Sequence, residues 1–287
     1  MSNTSTDFLG LAEDAPAHLR PPTIDEQFDA ALLADLKGVL TRDWGNHPRS
    51  QQVAIGPSEV GHPCPRRLVT KLLGLPRISP DGDPLPAWEG TAGHAKYERS
   101  VRVDNERIIG NWTRNPQAHQ CTILQGVAIG RWLPEHRVTV REDLAGTADL
   151  YDTFTDTVID LKFPGGSTLR EYLKQGPPPE YRTQAHVYGR GYRREGLDVK
   201  RVAIWFIPRG GQLRKSFVWS EPYNDQIVVD TLARLDDGLM ALNDLELEAH
   251  PERLALIPRV AHKCMFCPYF TPQAGHPEPQ ACQGAAA

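Results

Sequence analysis

The sequence predicts an α/β fold in which a small mixed β-sheet is flanked by helices, and three observations predict it. Ile24, Phe28, Leu32, Leu36 and Leu40 recur at helical spacing near the start of the chain. Between residues 127 and 163 the pattern changes to the shorter period of strands. Later, a strongly apolar strand at residues 201–207 lies between a helix at residues 181–194 and a long helix at residues 224–248. Helices that precede, interrupt and follow a set of strands have to pack on the faces of one sheet.

Taken in order, residues 1–22 are polar and proline-bearing and read as a flexible arm. The first helix ends at Gly45. Residues 57–65 read as a loop carrying Cys64, and residues 66–73 as a short helix stopped by Gly74. A Pro/Asp/Gly loop at residues 79–86 leads into a helix at residues 88–109 that contains His94. Strand character follows at residues 127–132, 137–140, 145–153 and 157–163, after which Pro164, Gly165 and Gly166 break the pattern. Gly210 and Gly211 suit the turn of a hairpin between strands at residues 201–207 and 213–219. Cys264, Cys267 and Cys282 lie in a tail with little apolar pattern. The expected organisation is an arm (1–22) and one domain (23–287). That domain comprises N-terminal helices (23–86), a core (87–220), and a closing helix with a cysteine tail (221–287).

Composition narrows the function. With 40% apolar and 24% charged residues, the chain has the balance of a soluble globular protein. It contains no apolar run long enough for a bilayer and no basic, apolar leader. A cytoplasmic protein with reduced or metal-bound cysteines is the expectation, with no membrane partner. A net charge of −4 argues against a general nucleic-acid coat protein. Residues 190–215 hold eight basic and two acidic side chains, whereas residues 221–252 hold nine acidic and one basic. Such polarity fits a surface with one face towards an anion, and equally two unrelated solvated faces.

The most informative stretch is Gly146-Thr147-Ala148-Asp149 followed by Val158-Ile159-Asp160-Leu161-Lys162. In a strand, residues two apart share a face, so Asp160 and Lys162 project together. If the intervening loop has an even number of residues, opposed positions sum to an odd number and Asp149 joins that face. Two carboxylates on one face repel unless a cation sits between them. Mg²⁺ or Mn²⁺ suits such oxygen ligands, and the Leu161 carbonyl could add another. A divalent ion there can stabilise charge on a phosphate, and a lysine beside it can stabilise the charge that develops.

These residues resemble the PD-(D/E)xK nuclease superfamily, and more narrowly the RecB-like exonucleases, including CRISPR-associated and phage-encoded members with an iron–sulfur cluster. Asp149 and Asp160-Leu161-Lys162 match that family's aspartate followed by acid-x-lysine. Gly90-Thr91-Ala92-Gly93-His94 is similar to its upstream helical glycine–histidine motif, which makes His94 a candidate metal ligand. Gln184-Ala185-His186-Val187-Tyr188 matches its Gln-x-x-x-Tyr motif, with Gln184 at the substrate or the water network and Tyr188 a candidate substrate contact one turn on. Glu135 is a further candidate acid on the preceding strand. The resemblance implies a restriction-endonuclease-like core.

Cys264-Met265-Phe266-Cys267 has a common metal-binding spacing, and its two further ligands have to come from elsewhere. The resemblance implies a [4Fe–4S] cluster held by Cys64 upstream and by Cys264, Cys267 and Cys282 downstream, with zinc as the alternative. The fourteen residues between Cys267 and Cys282 exceed the family's usual spacing, which leaves His276 as a reserve ligand. Cys121 falls outside this scheme. The function implied is a Mg²⁺- or Mn²⁺-dependent DNA exonuclease of phage or bacterial recombination or DNA processing. Its substrate would be single-stranded or end-containing DNA, with Arg66 and Arg67 holding the backbone. Self-association and recombination or CRISPR proteins are candidate partnerships. The alternatives are a non-catalytic DNA-binding module of the same fold and a sequence-specific endonuclease.

Overall fold

The computed structural model describes residues 23–47, 54–79 and 83–285; the arm expected at residues 1–22 lies outside them. The chain divides into two compact units, residues 1–51 and 52–287. In the first, α1 (Ile24–Asn46) opens on a capping box. The Thr23 side chain accepts from the Glu26 amide at 3.2 Å, and the Glu26 carboxylate accepts from the Thr23 amide at 2.8 Å. Its apolar residues Ile24, Phe28, Leu32 and Leu36 are exposed.

The second unit is built on a five-stranded sheet of order β3-β4-β5-β6-β7. The strands are β3 (Trp132–Arg141), β4 (Leu144–Asp152), β5 (Thr157–Lys162), β6 (Arg201–Phe206) and β7 (Phe217–Pro222). Neighbours are antiparallel except β5 and β6, which run parallel. A parallel step needs a long crossover, and α5 (Gly166–Gln175) and α6 (Pro179–Arg194) supply it. The sheet is therefore mixed and flanked by helices, as the sequence predicts. A separate two-stranded ribbon joins β1 (Thr122–Leu124) to β2 (Val127–Gly130).

Alternation along the strands fixes the two faces. Val138, Tyr151, Val158 and Val202 pack with Ala185, Tyr188 and Tyr192 of α6. Leu150, Ile159 and Leu161 pack towards Tyr97 and Val101 of α4 (Leu85–Arg114). At Gly191 a Cβ would lie 2.6 Å from Val138 Cγ2, so glycine is what allows α6 to lie this close to β3. Behind α6, α2 (Pro57–Val60) and α3 (Pro65–Leu72) pack with α7 (Asp225–Asp244) through Val60, Leu68, Val187, Val228 and Leu235.

Several elements differ from the sequence reading. The stretch at residues 57–65 contains α2, because Gly56 precedes a proline at the first helical position. The break at Pro164–Gly166 does end the strand, and a helix absent from the sequence reading follows it, α5, with Gly165 as its N-cap. The last strand starts at Phe217, after a 3-10 turn at Leu213–Lys215, so β6 and β7 are joined by a longer loop than a two-glycine hairpin. The basic and acidic segments meet in one pair, Arg190 with Asp225, and each also pairs with a residue outside both. Arg182 forms two bonds to Glu221 at 3.0 and 2.7 Å, Arg190 meets Asp225 at 2.5 Å, and Lys200 meets Asp156 at 2.6 Å. Among the described residues, no helix is long and apolar enough to cross a membrane.

Candidate active site

The β4–β5 register places the carboxylates. Leu150 opposes Ile159, Tyr151 opposes Val158, and Asp152 opposes Thr157. Each pair sums to the same odd number, as an even loop requires, and the register continued one residue beyond Leu150 and Ile159 sets Asp149 across from Asp160. Asp149 is 8% exposed and Asp160 1% exposed. The Asp149 Oδ2 accepts a 2.7 Å hydrogen bond from the Leu161 amide, which ties one acid to the strand that carries the other.

Lys162 shares the strand face of Asp160. Its Nζ lies 2.5 Å from Asp160 Oδ2 and donates to Gln184 Oε1 at 3.2 Å. Gln184 is buried on α6, so the lysine has an acceptor on each side. The ring of Tyr181, one turn before Gln184, lies 4.8 Å from the same ammonium. Sequence reasoning passed over Tyr181, although positions 181, 184 and 188 recur at the spacing of one helix face.

Beside Asp149, His94 on α4 places its Nδ1 3.3 Å from Asp149 Oδ1. The His94 ring meets Phe163 edge-on at 5.3 Å. At Gly93 a Cβ would lie 2.8 Å from the Phe163 ring, so the glycine before the histidine lets α4 seat against the end of β5. Glu135 completes the group: its carboxylate, His94 and Asp149 offer ligand atoms all within 4.8 Å of one another. Glu135 adopts φ +47°, and this left-handed kink in β3 sits opposite Asp149.

The electrostatics are those of a site short of positive charge. Burial opposes the charge on Asp149, but His94, Lys162 and the Leu161 amide outweigh it and hold that carboxyl below its ordinary range. Burial, reinforced by the charge on Asp149 and resisted by Lys162, pushes Asp160 from 3.8 up to about 6. Asp160 Oδ1 is buried with no hydrogen-bond partner among the described residues. An orphaned buried carboxylate oxygen next to a second carboxylate and an imidazole is a donor set that fits a divalent cation.

The four cysteines expected to act together are gathered at a second place in the fold. Cys64, Cys264, Cys267 and Cys282 line one cavity together with Arg66, Arg67 and Arg259. The long loop after Cys267 is closed by a parallel bridge between Phe270 and Cys282. The Thr271 amide donates to the Cys282 carbonyl, and the Cys282 amide to Tyr269, both at 2.9 Å. His276 accepts from the Glu278 amide and does not line the cavity. Ser79 Oγ donates to the Phe270 carbonyl at 2.6 Å, and the Ile78 amide to Pro268 at 2.8 Å, so the tail is also stitched to the segment that follows α3. Cys121 lies elsewhere, on the approach to β1.

The three expected substrate contacts are buried or half-buried. Arg66 is buried, and its Nη2 donates to the carbonyls of Pro279 and Ala281 at 3.3 and 3.2 Å; the guanidinium is committed to the tail. Arg67 lines the same cavity. Tyr188 is 6% exposed and belongs to the core between α6 and the sheet, because its helical position turns it towards Gly146 and Val138. The neighbouring His186 is fully buried; its Nδ1 accepts from the Asn224 amide at 3.2 Å, and Nε2 is 2.9 Å from Glu221.

No protein-family model matches the chain, and no curated protein matches it. Among solved structures the chain is similar to LHK-Exo, an alkaline exonuclease from Laribacter hongkongensis. The two are 15% identical over 76% of this chain and 100% of that one, with a TM-score of 0.43. A structure of LHK-Exo in complex with dAMP aligns at 16% identity over 73% and 97% of the two chains, TM-score 0.42. A phage-related exonuclease from Haemophilus somnus 129PT aligns at 10% identity over 64% and 82%, TM-score 0.34.

The raised Asp160 carboxyl has a thermodynamic consequence in metal-free protein. Between its unfolded value of ~3.9 and about 6, the folded chain binds more protons than the unfolded chain at this position, so stability falls as pH rises through that window. Asp160→Asn removes this contribution. Thermal unfolding in chelator across that pH range should show a shallower decline for the variant, which should also melt above the parent at neutral pH. Superimposable profiles would show that the two carboxylates do not strain the folded state.

Proposed function

We propose that the protein is a metal-dependent DNA exonuclease of the PD-(D/E)xK type. One observation carries this reading: two buried, opposed carboxylates, Asp149 and Asp160, share their site with a lysine held 2.5 Å from one of them. Asp149, Asp160 and the Leu161 carbonyl are the proposed ligands of Mg²⁺ or Mn²⁺, with His94 and Glu135 completing the set on the Asp149 side. An ion held there supplies positive charge for the phosphate oxygens and acidifies water.

The rest of the work falls to the chain. Lys162, held by Asp160, Gln184 and the Tyr181 ring, presents a fixed ammonium to the charge that builds as a phosphodiester is attacked. Gln184 keeps the lysine from swinging into Asp160 alone. DNA with free ends as substrate follows the family that the motifs resemble.

The assay is hydrolysis of linear DNA with Mn²⁺. Lys162→Ala and Asp160→Ala should each lower kcat by on the order of 10²-fold or more, the size of losing one preorganised charge-stabilising group. Covalently closed circular DNA should resist cutting. Variants as active as the parent would refute the assignment, and cutting of closed circles would replace the exonuclease with an endonuclease.

The cysteine centre is read as a [4Fe–4S] site held by Cys64, Cys264, Cys267 and Cys282. The three arginines that line the cavity with them, Arg66, Arg67 and Arg259, favour an anionic thiolate-bound cluster, and zinc is the alternative. Anaerobically purified protein should be brown, with iron in it and broad visible absorption. A colourless protein containing zinc would overturn this assignment.

A further inference from the structure

The two centres are joined by a short set of contacts, and all of them converge on the first turn of α6. Glu180 there is held by the tail: its Oε1 lies 3.2 Å from His262 Nε2 and 3.6 Å from Lys263 Nζ. His262 and Lys263 immediately precede Cys264, and Lys263 takes the left-handed conformation, φ +47°, that turns the chain into the cysteine turn. The next residue after Glu180 is Tyr181, whose ring covers the Lys162 ammonium at 4.8 Å.

A second route runs through aromatic rings. Lys263 Nζ lies 6.0 Å from the Tyr172 ring, and Tyr172 meets Tyr181 edge-on at 5.9 Å. Tyr172 is itself locked against Phe206 of β6 at 5.2 Å. The Tyr181 ring is therefore fixed from behind by Tyr172 and from its own backbone by Glu180, and both of these touch Lys263. The helix is seated from a third side, since Gly61 packs against Thr183 and the Glu180 carbonyl at distances a Cβ would close to 2.8 and 3.3 Å.

We propose that Tyr181 is a positioning residue for Lys162, and that Glu180, through His262 and Lys263, makes its aim depend on the closed cysteine tail. This rests on the nuclease reading for its consequence in catalysis, though not for the geometry. The electron-rich ring face attracts the ammonium and narrows the directions it can take. Without the ring, Lys162 keeps Asp160 and Gln184 to orient it, and the stronger ionic partner draws it towards the carboxylate. The cysteine centre then serves the reaction by setting the first turn of α6 rather than by electron transfer.

The test uses full-length protein carrying lysine labelled with ¹³C at the ε carbon, with the Lys162 signal assigned by its loss in Lys162→Arg. A methylene lying over an aromatic face is shifted upfield, so the Lys162 signal should be displaced in the parent and in Tyr181→Phe, and return to the ordinary lysine position in Tyr181→Leu. Glu180→Gln should move the signal part of the way. With Mn²⁺ and linear DNA, Tyr181→Leu should lower kcat by about tenfold or more with KM unchanged, and Tyr181→Phe should restore most of the rate. Denaturant unfolding of each variant separates this from loss of fold. An unshifted Lys162 signal in the parent, or one that Tyr181→Leu leaves in place, overturns the positioning role. A signal unmoved by Glu180→Gln removes the tail from the mechanism. A parent that hydrolyses no DNA while the signals behave as described refutes the nuclease reading and leaves the positioning of Lys162 standing.

Discussion

Asp149 and Asp160 are buried side by side on paired strands, and the ammonium of Lys162 lies beside Asp160. Burying a carboxylate is costly, and burying two together is costlier because each disfavours ionisation of the other. The surrounding structure answers that constraint in pieces. The Leu161 amide donates to Asp149 and His94 lies 3.3 Å from it, Lys162 pairs with one oxygen of Asp160, and the other oxygen of Asp160 has no hydrogen-bond partner among the described residues. The asymmetry explains why the two acids shift in opposite directions, Asp149 down and Asp160 up. Sites that push paired carboxyls apart in this way are where acid–base and metal chemistry is found.

The architecture around the pair holds it rigidly. Both acids sit on strands whose registers are fixed by hydrogen bonding and whose other face is filled by α4. Lys162 sits at the end of β5, where the parallel pairing to β6 continues to Phe206. From α6, Gln184 and Tyr181 close over the lysine, and Gly191 lets that helix approach the sheet closely enough to do so. A site on strands and helices keeps its geometry better than one on loops, which suits chemistry that depends on fixed charges.

Much of this was legible in the sequence because it follows from local period. The two-residue repeat that sets Asp160 beside Lys162 and the helices carrying His94 and Gln184 are properties of short segments, whereas the even loop after Asp152 is seen only in the strand register. What was not legible depends on partners distant in the chain. Arg66 next to Arg67 reads as a phosphate-binding pair, yet Arg66 is turned inward by the Pro279 and Ala281 carbonyls more than two hundred residues away. Tyr188 carries the spacing of a site residue, but the tilt of α6 buries it in the core. The return of Cys282 to Cys267 depends on backbone bonds to Tyr269 and Thr271 that no spacing rule contains. The kink at Glu135, which brings a third ligand atom to His94 and Asp149, is a backbone conformation that its residue type does not favour.

Asp149 and Asp160 are proposed to share a divalent cation. Anomalous diffraction from crystals grown with Mn²⁺ shows directly where the metal lies. A manganese peak is expected between the two carboxylates, with His94 or Glu135 at its edge and Lys162 still paired with Asp160. Manganese bound only elsewhere on the protein, with no peak between Asp149 and Asp160, would contradict it.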